Sequence, residues 1–259
     1  MTLIKDKLWN WGHLEGSHNG CTGLRCSMTP EEFAEEYGIP NAFMVSYGGN
    51  IQPPFAPLAK RLSGLGQIKW SVLGDASTPL PEKELGNTED ILEALEAGGN
   101  ITGGVVDDFF SPERMERFTP EMLKKIRACL NAQGLDFWCV LYAHQLDLEL
   151  APYMDAFDGV TFWHWNVDEI DAMEENERKL RDIIGNKPLM LGLYLWDYAA
   201  GREMDPVRFT RQLEHGLREL KTGDIEGVVF CSSTIGDAPL ETNRILKETL
   251  RRCGQDEIE

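Results

Sequence analysis

Residues 188–197 read PLMLGLYLWD, an apolar run with leucine at every second position from 189 to 195. Side chains alternate between the two faces of a β-strand, so the leucines share one face and the residues between them share the other. The leucine face predicts contact with helices. Tyr194 and Trp196 then point to the opposite side, toward the interior of a closed sheet.

Seven more apolar or β-branched runs recur along the 259 residues, and polar amphipathic segments separate them. A parallel sheet with crossover helices requires this alternation, and eight units of about thirty residues fit one α/β barrel. We therefore predict a single (β/α)8 TIM barrel over residues 1–259. An open doubly wound sheet is the alternative, but the chain lacks a glycine-rich phosphate turn. The other runs are residues 8–13, 41–49, 68–75, 101–110, 135–145, 158–166 and 225–234.

Helix-start signatures lie between these runs. Thr29-Pro30-Glu31 and Thr119-Pro120-Glu121 each combine a capping residue, a proline in the first turn and an acidic residue near the positive end of the helix. Asn87-Thr88 and Asp205-Pro206 indicate two further starts. A last helix over about 239–252 is expected to pack near the first strand and complete the ring.

The composition restricts the partners. A formal net charge of -18 repels nucleic acid and anionic membrane surfaces, so we expect neither as a partner. The first residues lack the apolar run of a secretory signal, and no eighteen consecutive apolar residues occur, which predicts a soluble, cytoplasmic protein. Six scattered cysteines without a CxxC pair predict reduced thiols, and we expect no cofactor and no metal. The oligomeric state stays open.

In a TIM barrel the active site lies at the carboxyl ends of the strands, where this chain carries Asp107 and Asp108 between GGVV and two phenylalanines. Apolar surroundings disfavour the charged form of a carboxyl group, which suits a general acid. Neighbouring strand residues face opposite ways. If Gly104 and Val106 point inward, Asp108 is the pocket residue, although Asp107 remains nearly as good a candidate.

Other polar and aromatic side chains end the remaining strands. His144 and His164 end consecutive strands and, with an Asp, indicate either an acid/base network or part of a metal site. Large rings at strand ends suit the apolar faces and the hydroxyls of sugars, although such rings also fill barrel interiors. The expected substrate-binding residues are Trp11, His13, Tyr47, Asp75, Tyr142, Trp163, His164, Trp165, Tyr194 and Trp196.

The segments GGVVDDFF, FWHWN and LYLWDY resemble strand ends of glycoside-hydrolase-type (β/α)8 barrels. The resemblance implies hydrolysis of a sugar substrate by paired carboxylates. The family often places Asn-Glu after strand four and Glu after strand seven, whereas this chain has no Asn-Glu there and has Asp197 after strand seven.

Three functions follow from these residues. The first is a carbohydrate-active hydrolase acting on a small or oligomeric sugar, with Asp107 or Asp108 as general acid, Asp197 or Asp75 as base or nucleophile, and His144 as a further candidate. The second is a metal-assisted sugar isomerase, epimerase or lyase. The third is a barrel that binds a glycan without catalysis.

Overall fold

The computed structural model describes residues 2–258, and its central feature is a closed barrel of eight parallel strands. Each strand pairs with the next, and β8 pairs with β1 through Val228 and Leu8. The predicted (β/α)8 barrel is therefore confirmed. The strands are β1 (Leu8–Gly12), β2 (Asn41–Met44), β3 (Ile68–Ser71), β4 (Ile101–Val106), β5 (Asp136–Tyr142), β6 (Gly159–Trp163), β7 (Leu189–Tyr194) and β8 (Gly227–Cys231).

Helices follow the strands and surround the barrel. Shorter helices lie in the loops after β1 (Asn19–Thr22) and β4 (Pro112–Arg117), and Trp196–Asp197 pairs with Arg202–Glu203 as a small antiparallel ribbon after β7. None of the helices in the described chain is long and apolar enough to cross a membrane. The main helices are α1 (Pro30–Tyr37), α2 (Ala56–Arg61), α3 (Thr88–Glu96), α4 (Pro120–Asn131), α5 (Ala151–Met154), α6 (Met173–Ile184), α7 (Pro206–Thr222) and α8 (Glu241–Cys253).

The predicted helix starts are present. Thr29 and Glu32 form a reciprocal capping box at α1, while the Asp205 side chain accepts a hydrogen bond from the backbone N–H of Arg208 at α7. Asn87 precedes α3, but its side chain makes no capping hydrogen bond. These local interactions satisfy backbone donors that the first helical turn leaves unpaired.

The two faces of β7 are arranged as its leucine pattern predicts. Leu193 lies against Gly216 of α7, outside the barrel. Tyr194 lies inside it, with its ring centroid 5.0 Å from that of Trp163 on β6. Trp163 in turn contacts Trp11 of β1 across the interior, at 5.3 Å between centroids. Large aromatic rings therefore fill the barrel just beneath its carboxyl end.

Candidate active site

A pocket of about 280 Å³ opens at the carboxyl ends of the barrel strands. Nine of the residues expected there from the sequence line it, together with His18, Cys21, Tyr198 and Cys231. Three of the thirteen residues are carboxylic acids and six are tyrosine or tryptophan. The expected residues that line the pocket are Trp11, His13, Tyr47, Asp75, Asp107, Asp108, Tyr142, Trp165 and Tyr194.

The end of β4 brings both members of the Asp pair into this pocket. Gly103 faces the interior, because a Cβ atom there would meet the Asp136 side chain, whereas Gly104 faces Leu130 of α4. The expectation that Gly104 lies on the inner face is therefore wrong. Asp107 has the same parity as Gly103, and Asp108 takes a left-handed backbone with φ of 47°, a conformation that Asp tolerates better than most residues.

Asp107 is the carboxyl group of the pocket whose pKa is clearly shifted. Its side chain is buried, and loss of hydration raises its pKa well above the usual Asp range. The negative charges of Asp108 and Asp75 raise it further, while the Arg114 guanidinium lowers it only in part. Asp107 therefore keeps its proton at a pH where an ordinary Asp has lost it.

Asp108 and Asp75 accept hydrogen bonds from fixed donors. The Tyr142 hydroxyl donates to Asp108 Oδ1 at 2.9 Å, and the backbone N–H of Ala76 donates to Oδ2 at 3.0 Å. The hydroxyls of Ser77 and Thr78 donate to Asp75, each at 2.7 Å. Both carboxyl groups are thus oriented before any ligand arrives.

Arg114 is a buried residue of the site that the sequence analysis missed. It lies on the short helix after β4, and its Nη1 donates to the backbone oxygens of Gly74 at 3.1 Å and Asp107 at 3.0 Å. Its Nη2 donates to the backbone oxygen of Asp75. One side chain therefore fixes the loops that carry all three pocket carboxyl groups. The chain SPERMER reads as an ordinary charged helix, so the sequence gives no sign of this role.

His13 and His18 form another part of the pocket lining, with ring centroids 4.6 Å apart. His13 Nδ1 lies 2.9 Å from the Val45 carbonyl, which can only accept, so Nδ1 carries a proton. Burial lowers the pKa of His13, and its Nε2 is left as an acceptor. Burial also lowers the pKa of His18, to about 2.

His18 joins the first loop to the loop after β8. Its Nδ1 lies 2.8 Å from the hydroxyls of Tyr198 and Thr234, and 3.2 Å from that of Ser232. Ser232 and Thr234 are fully buried in these contacts. His18 was not among the residues predicted for the site, because no local pattern shows that the first loop reaches the barrel.

The rings beneath the pocket depend on one glycine. Trp163 does not line the pocket but lies under it, and a Cβ atom at Gly192 would come within 2.0 Å of the Trp163 ring. Trp165, two residues later on the same face, reaches the pocket and lies parallel to Tyr198, with centroids 6.2 Å apart. The aromatic residues at the end of β6 thus form both the floor and one wall of the pocket.

Two of the expected residues after β7 lie outside the pocket. Asp197 is buried, and its Oδ1 accepts a hydrogen bond from the backbone N–H of Ala200 at 3.0 Å, so it holds the turn of the small ribbon after β7. Trp196 belongs to the same ribbon and does not line the pocket either. β7 ends at Tyr194, before both of these residues.

The two strand-end histidines are not brought together. His164 packs against Phe162 on the outer face of β6 and shares a small space with Gln212 and His215 of α7, where burial lowers its pKa to about 4. His144 is half-exposed and stacks on Tyr142 beside the pocket, with centroids 5.4 Å apart. Within residues 2–258, no group of three or more His, Cys, Asp or Glu side chains is arranged to hold a metal ion.

The barrel is similar to solved structures of several activities. No family model and no curated protein matches the chain. A β-D-glucuronidase from Dictyoglomus thermophilum matches with TM-score 0.60 and 9% identity, over 96% of this chain and 51% of that one, so the chain spans about half of that enzyme. A chitinase from Chromobacterium violaceum matches with TM-score 0.56 and 9% identity, over 93% and 98%.

The tryptophan synthase A-subunit from Pyrococcus furiosus matches almost equally well, with TM-score 0.55 and 13% identity over 97% of this chain and 98% of that one. At identities of 13% or less these matches show a shared fold and not a shared reaction. They show that the chain shares its barrel fold with glycoside hydrolases and with enzymes of other classes.

Proposed function

We propose that this protein hydrolyses glycosidic bonds, with Asp107 as the general acid and Asp108 as the carboxylate that faces the reacting carbon. The observation that carries the proposal is that two neighbouring carboxyl groups with different surroundings share one pocket. Burial and negative neighbours favour the protonated form of Asp107, whereas Asp108 accepts hydrogen bonds from Tyr142 and Ala76. Paired carboxyl groups in different environments are what glycoside hydrolysis uses.

In this mechanism Asp107 gives its proton to the glycosidic oxygen as the bond from the anomeric carbon breaks. The charges of Asp108 and Asp75 stabilise the positive charge that develops on the sugar. Water supplies the hydroxyl group that joins the anomeric carbon of the released sugar. The remaining proton of that water returns to Asp107. The leaving group departs as an alcohol, and the site regains its starting protonation.

The pocket also restricts the sugar. Rings from Trp11, Tyr194 and Trp165 offer apolar faces for the C–H groups of a pyranose or furanose. Among the described residues that line the pocket there is no Lys or Arg to balance a negative ligand. A uronic acid would add a carboxylate beside Asp108 and Asp75. We therefore expect uncharged sugars to be cleaved in preference to glucuronides, although a glucuronidase shares the fold.

The test is hydrolysis of a panel of aryl glycosides and reducing-end-labelled oligosaccharides of glucose, galactose, mannose, xylose and N-acetylglucosamine. Asp107→Asn and Asp108→Asn are each expected to lower kcat/KM on the cleaved substrate by about 10²–10⁴-fold, the usual contribution of general acid–base groups. Asp147→Asn, an exposed Asp in the loop after β5, is the matched control and should leave activity unchanged. Undiminished activity in both pocket variants would overturn the proposal.

The alternative of a metal-assisted isomerase loses the geometry that suggested it. It required His144 and His164 to converge with an Asp, but His164 lies on the outer face of β6. The alternative of a barrel that only binds a glycan predicts saturable binding of an oligosaccharide without any product. The same panel separates it from hydrolysis, because binding without cleavage favours the binding protein.

A further inference from the structure

Beside the pocket lies a second and wider depression, of about 610 Å³, which we call the groove. It shares Asp108, Tyr142 and Trp165 with the pocket, so the two spaces meet at the proposed catalytic carboxylate. The remaining groove residues come from the loops after β3, β4, β5 and β6. They are Ala76, Phe110, Ser111, His144, Gln145 and Asn166.

The pocket itself is small. Its volume of about 280 Å³ lies just below the range of roughly 300–1,000 Å³ that holds drug-sized ligands. It has room for one sugar ring rather than for a chain of them. The groove has more than twice that volume and is the space in which further sugar units fit.

On the side away from the groove, hydrogen bonds between loops close the pocket. His18 is bound to the hydroxyls of Tyr198 and Thr234, and the side-chain amide of Asn50 donates to Ser17 Oγ at 2.8 Å. The first loop is thereby joined to the loop after β8 on one side and to the loop after β2 on the other. These contacts hold the three loops together on this side of the pocket.

The groove begins with a flat surface. The rings of Tyr142 and His144 are stacked with an interplanar angle of 11°, and the His144 side chain is 48% exposed. Trp165 stands edge-on to Tyr142 at 6.1 Å. Stacked and exposed rings of this kind suit the apolar face of a sugar unit that is bound outside the pocket.

From this shape we propose that the protein acts from the end of its substrate: the pocket holds the single non-reducing terminal sugar, and the groove holds the rest of the chain as leaving group. This inference rests on the proposed hydrolysis and adds the mode of cleavage to it. A terminal ring in the pocket presents its anomeric carbon at the junction, where Asp108 lies.

The experiment uses hexasaccharides labelled at the reducing end, analysed for labelled chain lengths at less than a tenth of full conversion. Release of single terminal sugars gives only the labelled pentasaccharide at first. Labelled di-, tri- and tetrasaccharides at the start of the reaction would show internal cleavage and overturn the inference while leaving hydrolysis intact. A labelled monosaccharide as first product would overturn it too. Failure to cleave any member of the panel would count against hydrolysis itself and so remove the basis of the inference.

A groove variant tests the second half of the inference. Because His144 contacts the groove and not the pocket, His144→Ala should lower kcat/KM about tenfold more on the hexasaccharide than on an aryl glycoside of the same sugar. Gln133→Ala, at an exposed position after α4, is the control and should change neither value. Equal losses on both substrates in His144→Ala would contradict binding of the leaving chain in the groove.

Discussion

The two ends of the barrel interior both contain buried charge, and they treat it differently. Near the amino end, Lys69 Nζ of β3 lies 2.5 and 2.7 Å from the carboxylate oxygens of Asp136 on β5. The rings of Trp9 and Trp138 lie at 5.2 and 5.0 Å from the same ammonium group. At the carboxyl end, Asp75, Asp107 and Asp108 share a pocket whose described lining includes no Lys or Arg.

The charged pair at the amino end has a structural role, whereas the carboxyl groups at the other end are candidates for catalysis. The Lys69 ammonium is matched by the Asp136 carboxylate and by the faces of two aromatic rings. At the carboxyl end, burial and the charges of Asp108 and Asp75 favour a proton on Asp107, and the Arg114 guanidinium offsets them only in part. A buried charge with its partner in place has a structural role, whereas a carboxyl group with a raised pKa in a pocket is a candidate proton donor.

We expect the largest loss of stability on removal of Arg114, the buried cation near the carboxyl end of the barrel. Arg114→Met removes the side-chain donor of the Gly74 and Asp107 oxygens, while the Asp75 oxygen keeps the backbone N–H of Thr78. Each unsatisfied buried group costs about 1–3 kcal/mol. We expect a loss of about 3 kcal/mol or more in the free energy of unfolding, measured with urea. Arg117→Met is the control. Arg117 lies on the same helix as Arg114, and its hydrogen bond to the Glu82 carbonyl is more exposed. Equal losses in the two variants would show that Arg114 has no special role.

At the amino end, removal of the Asp136 carboxylate tests whether it stabilises the buried Lys69 ammonium. Asp136→Asn leaves the Lys69 ammonium buried without a carboxylate, and we expect a loss of about 2 kcal/mol in unfolding free energy. This is less than for a fully buried pair, because the Asp136 side chain is 39% exposed. Lys69→Met should cost less than Asp136→Asn, and Glu84→Gln in the exposed pair with Lys125 should cost almost nothing. A smaller loss in Asp136→Asn than in Lys69→Met contradicts this reading.

A further expected effect is the pH dependence of stability at Asp107. Since the pKa of Asp107 is raised in the folded protein, the native state binds more protons than the unfolded state above about pH 3.9. The wild type therefore loses stability as pH rises through that window. Asp107→Asn lacks this loss, so its stability relative to wild type should improve from pH 5 to pH 8. A difference that stays constant across urea titrations at these pH values would rule this linkage out.

Most of the barrel could be predicted because it depends on local patterns. The alternation of Leu189 to Leu195 identified the outer face of β7, and the Thr29 and Asp205 caps marked the starts of α1 and α7. Such signals act within one element, where spacing alone decides which side chains meet. Closure of the barrel then followed from the number and order of the units.

The site was less predictable because it depends on which face each side chain occupies at the end of a strand. It also depends on how the loops fold. Asp107 and Asp108 were found, but the inner face of β4 was assigned through Gly104 instead of Gly103, and the left-handed turn at Asp108 could not be foreseen. His164 was placed in the site although its side chain points to the helices. His18 and Arg114 reach the pocket through contacts between segments far apart in the chain, which no local pattern encodes.

The protonation of Asp107 is the central claim, and it can be measured directly. Carboxyl ¹³C chemical shifts of the aspartates are followed by NMR from pH 3 to pH 9 in the wild type and in Asp107→Asn. We expect one carboxyl group that titrates well above the usual Asp value of about 3.9 and whose signal is absent from the variant. If every aspartate of the wild type titrates in the ordinary range, Asp107 is not the buried acid and the proposed mechanism is wrong.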